Sequence, residues 1–107
     1  MTTNSFDNVV EDSVREAMSR MLGGEVWKAI SFYFDVKLVA REPQTFATVL
    51  DRLFGASSKV LQRVIGETLI SKLGSQVDKR KEREFQDWIQ IAKAKFSSTT
   101  SLAFKPS

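Results

Sequence analysis

Pro43-Gln44-Thr45-Phe46-Ala47-Thr48-Val49-Leu50-Asp51-Arg52-Leu53-Phe54-Gly55 is the stretch whose reading decides the fold. Its apolar residues Phe46, Val49, Leu50, Leu53 and Phe54 recur at i, i+3, i+4, i+7 and i+8, which places them on one face of an α-helix. Pro43 suits the first helical turn, where its missing N–H costs nothing, and Gly55 suits the position after the last turn. A helix over 43–54 is therefore predicted. Beyond it, Ser57 or Ser58 is expected to cap a second helix whose face is Leu61, Val64, Ile65, Thr68, Leu69 and Leu73, ended by Gly74. Gly66 lies inside that helix, at a cost of about 1 kcal/mol relative to Ala. Close approach of a neighbouring helix is the expected reason, with a hinge or ligand contact as the alternative.

Upstream, Phe6, Val10, Val14, Ala17, Met18 and Met21 mark another helical face, with Asn4 or Ser5 as its cap and Gly23-Gly24 as its end. Glu25 to Asp35 reads as a further helix, with Val26, Trp27, Ile30, Tyr33 and Phe34 on one side and Ala29, Phe32 and Val36 spreading round the other. A helix apolar on most sides is usually buried between neighbours, so residues 26–34 are expected to be central. Asp35 to Val39 also alternates like a short strand. Downstream, Val77, Phe85, Trp88, Ile89, Ala92 and Phe96 predict a fifth helix over about 76–96. It should pack by one stripe and carry Arg80/Glu84 and Arg83/Asp87 pairs.

These elements predict an all-α fold, a single compact bundle of four or five helices. The domain should span 1–96, with its core in 6–74, and 97–107 should form a flexible tail. Truncating Trp27 or Phe54 to Ala is expected to cost about 3–5 kcal/mol if each ring is packed.

The chain has 107 residues, too few for two separate cores, and 42% of them are hydrophobic. It contains no Cys and no His, which excludes disulfides, thiolate nucleophiles, imidazole bases and the usual zinc and iron–sulfur ligand sets. Glu25 beside Gly23-Gly24 and Glu67 beside Gly66 are the candidates for acid/base work, since a Gly neighbour permits close ligand approach. Both read more simply as solvated charges. No enzyme activity, catalytic residue, metal or cofactor is expected. The most apolar window, Val26 to Ala40, is interrupted by Lys28, Asp35 and Lys37, so no membrane span is expected. The first residues lack a secretory pattern, and a cytoplasmic location is expected.

Net charge is +3, but residues 1–53 carry 6 basic and 8 acidic side chains against 10 and 5 in the remainder. The basic bias gathers in Lys79, Arg80, Lys81 and Arg83, which could follow phosphates. Asp78, Glu82, Glu84 and Asp87 neutralise that segment, so a solvated helix face is the simpler reading. The aromatic cluster of Trp27, Phe32, Tyr33, Phe34, Phe46 and Phe54 could line a pocket, although core packing explains it with fewer assumptions. An apolar surplus remains at Phe32, Val36, Leu38 and Val39, and these four are the expected interaction surface. A protein partner or a second copy would cover it. A homodimer is the expected state, with a five-helix monomer as its competitor.

Gly24-Glu25-Val26-Trp27-Lys28-Ala29-Ile30-Ser31-Phe32-Tyr33-Phe34, then Pro43 with Phe46, Leu50 and Leu53-Phe54-Gly55, then Leu61, Leu69 and Ile70, resemble a small archaeal family. It is the output domain named after Nitrosopumilus, of its fifth type, and the resemblance covers about residues 8–74. The resemblance implies an archaeal source and a small helical domain associated with signalling proteins, with no catalytic residues to carry over. The functional expectation is a non-enzymatic protein-interaction or output module in cytoplasmic signalling or regulation, acting by helix-mediated docking. A nucleic-acid-binding regulatory protein using the basic residues of the fifth helix is the alternative.

Overall fold

The computed structural model describes residues 5–75 and 83–104, and the side chains of 6–75 and 83–97. The fold is all-α: α1 (Ser5–Leu22), α2 (Gly24–Ile30), a 3-10 turn (Val36–Leu38), α3 (Pro43–Phe54), a second 3-10 turn (Gly55–Ser57), α4 (Ser58–Lys72) and α5 (Phe85–Phe104). Among the described residues there is no strand, so the alternation of 35–39 is spent in the first 3-10 turn.

The centre of the bundle is α4, not the 26–34 segment. Eight of its fifteen residues are buried, on more than one side, and it packs against α1, α3 and α5. The stripe read from sequence, Leu61, Ile65, Thr68 and Leu69, supplies one side; Gln62, Gly66 and Ile70 supply another. Gly66 is where α5 comes in. A Cβ built on it would stand 2.7 Å from Cε3 of Trp88 and closer still to Cδ2, so only the absence of a side chain lets the indole lie against the helix. Of the two readings of this glycine, close helix approach is the one observed.

Helix α2 is shorter than expected and only Trp27 and Ile30 are buried. Ser31-Phe32-Tyr33-Phe34 has modest helix propensity, and the Ser31 hydroxyl donates to the Lys28 carbonyl at 2.7 Å, serving the open helix end. The chain then turns. Asp35 accepts from the Lys37 N–H at 3.0 Å and starts the 3-10 turn that carries Val36 into the core. The helix stops at Ile30 and the chain beyond it carries Tyr33 out to solvent; Val26, inside the helix, is exposed as well.

Polar side chains are satisfied both within and between the helices. On α1, Ser13 is buried beside Val10, Val14, Ala17 and Met18, its hydroxyl donating to the Val9 carbonyl at 2.8 Å. Gln62 Nε2 donates to Ser58 Oγ at 2.7 Å and to Asp51 Oδ1 at 3.3 Å, tying α4 to α3. Ser58 thus serves Gln62 and does not cap the helix through its side chain. Lys72 Nζ meets Glu16 at 2.7 Å and Arg20 donates to Thr68 Oγ1 at 3.2 Å, joining α1 to α4 across the surface. Glu16 is held below the usual carboxylate range, first by its hydrogen bond from Lys72 and then by the same ammonium charge.

Helix α5 runs from Phe85 to Phe104, so the stretch 97–104, expected as a flexible tail, is helical, and the expected helix start near residue 76 falls outside the described residues. Residues 76–82 lie outside the described residues. Glu84 precedes the helix and donates its N–H to Asp87 at 3.1 Å, one half of a capping box. Phe85, Trp88, Ile89 and Ala92 form the single buried stripe, and Phe85 packs on Phe46 with ring centroids 5.7 Å apart.

Candidate functional site

The four apolar residues expected on an interaction surface do not stay together. Val36 and Val39 are 7% and 0% exposed and belong to the core, and Leu38 is half-buried. This corrects the sequence expectation. The 3-10 turn rotates Val36 and Val39 inward, three residues apart on one side, whereas a continued helix from Glu25 would have left Val36 beside Phe32. Phe32 alone of the four is solvent-facing, at 84% exposed, and its neighbour Tyr33 is 66% exposed.

Those two rings stand apart from every other described aromatic side chain, all of which are buried or half-buried. Trp27 and Phe46 lie in the core, Phe34 stacks on Phe46 at 5.4 Å, Phe54 is half-buried against the core, and Phe6 meets Phe96 at 5.4 Å. The aromatic cluster therefore divides. Most of it packs the interior, and the Phe32-Tyr33 pair is left over.

The exposed rings are not carried on a loose chain. The Phe32 N–H donates to the Ala29 carbonyl at 3.2 Å and the Tyr33 N–H to the Ile30 carbonyl at 2.8 Å. Arg41 reaches back to Asp7 at 3.1 Å and pins the far end of the connection to α1. Phe34, half-buried on Phe46, anchors the segment from beneath. Beside the rings lies an open depression lined by residues 31–37 and by Arg15 of α1. Arg15 is held by Glu11 at 2.7 Å, and Asp35 and Lys37 complete its charged wall.

The other candidates lie elsewhere. Glu25 is exposed in the first turn of α2, and Glu67 is half-buried on α4. The space that Gly66 opens next to Glu67 is filled by Trp88, so it offers a ligand no approach. Among the described residues, no cluster of His, Cys, Asp or Glu could hold a metal ion. Nor is any helix among them long and apolar enough to cross a membrane.

Of the basic set, Lys79, Arg80 and Lys81 lie outside the described residues. Arg83 is half-buried and places its guanidinium over the Trp88 ring, 5.2 Å from the centroid, in a cation–π contact. It is tied to the packing of α5. Helical periodicity continued to Asp35 places Tyr33 on the packed side of α2, and the cluster reading places it in the core or a pocket; with α2 ending at Ile30 it is exposed instead. No protein-family model matches the chain, and no curated protein or solved structure matches it.

Proposed function

We propose that this chain is a non-enzymatic protein-interaction module, of the signalling or regulatory kind that its sequence resemblance implies, and that it docks its partner on the loop following α2. One observation carries the reading: Phe32 and Tyr33 stand 84% and 66% exposed on a backbone fixed by its own hydrogen bonds. Rigid exposed aromatics bury much area for little lost freedom, which is why they serve as anchors at protein interfaces. A chain without His or Cys is poorly equipped for catalysis and needs only a surface to bind.

Photocrosslinking tests the reading. With a photoreactive phenylalanine analogue at position 32, the full chain irradiated in its own cells should give a discrete protein adduct. The same analogue in place of Lys59, exposed in the first turn of α4, should give at least about tenfold less, the contrast expected where a few anchors dominate binding. Equal adducts at both positions, or none at position 32, would overturn it. So would binding to DNA or RNA near physiological salt that weakens steeply as salt rises, the mark of phosphate contacts.

A further inference from the structure

We draw no further inference here: the strongest candidate, the exposed surface patch at the corner between α3 and α4 that carries Arg52, Lys59 and Arg63 together with Leu53 and Val60, is one for which nothing in the structure shows what covers it.

Discussion

Replacing Trp88 with alanine should cost about 3–5 kcal/mol, the range for removing a fully packed large aromatic side chain. The indole is 2% exposed, lies against the bare backbone of Gly66 and carries the Arg83 guanidinium over its face. It is the main plug between α5 and α4. The same geometry fixes the sign of a second substitution. On an open helix, Gly→Ala stabilises by about 1 kcal/mol. At Gly66 the added methyl enters the indole, and overpacking of this kind costs about 1–3 kcal/mol. Once Trp88 is alanine, the methyl has room, and Gly66→Ala should become neutral or stabilising. Urea denaturation of the four chains of this cycle measures the coupling. Simple additivity would mean that Trp88 is not what occupies the space above Gly66.

Phe46→Ala should be nearly as damaging, at about 3–5 kcal/mol. Phe46 is 1% exposed and its ring lies 5.4 Å from Phe34 and 5.7 Å from Phe85, so it joins the loop after α2 to α3 and α5. Loss of the ring removes both aromatic pairs, each worth about 0.5–1.5 kcal/mol beyond its area. Phe46→Leu keeps most of the volume and should cost clearly less than Phe46→Ala, though more than the roughly 1.5 kcal/mol ceiling of an ordinary volume-conserving swap. Thermal unfolding of both variants is the check. An equal loss for Leu and Ala would show that the ring pairs, and not the filled volume, set the energy. Domains of this size are stable by about 5–15 kcal/mol, so either alanine removes a large share.

What was legible in the sequence follows from where side-chain periodicity controls the structure. The helix 43–54 is readable because its stripe is clean and both ends carry a stop: Pro43 opens α3 and Gly55, at φ 58, closes it. Gly66 is readable for the same reason, as a helix-breaking residue inside a strong amphipathic pattern. Periodicity fails where apolar residues run on without alternation. From Val26 to Ala40 eleven of fifteen residues are apolar, so the pattern does not reveal that α2 stops at Ile30 or that the next turn is 3-10. The consequence falls on the site itself. The apolar surplus picks out Phe32, which is exposed, together with Val36 and Val39, which are buried, and it passes over the exposed Tyr33.

Buried polar residues were equally silent. Ser13, Ser58 and Gln62 interrupt apolar stripes in the sequence, yet each is buried because a carbonyl or side-chain partner within one turn satisfies it. The far end of α5 escaped for a related reason. Ser97-Ser98-Thr99-Thr100-Ser101 carries no apolar stripe to signal a helix, yet α5 runs through it to Phe104 as a continuation of the docked stripe at Phe85 to Ala92. Helix propagation is cheap once the first turns are formed.

The buried residues hold the fold, whereas the rings of Phe32 and Tyr33 stand outside it. The double substitution Phe32→Asp with Tyr33→Asp tests that separation most directly, by measuring unfolding free energy and, on the same preparation, retention of the protein trapped at position 32. The account predicts a stability change within about 1 kcal/mol of the wild type, as for surface positions, together with loss of binding by at least about tenfold. A loss of several kcal/mol in stability, or binding that persists, would contradict it.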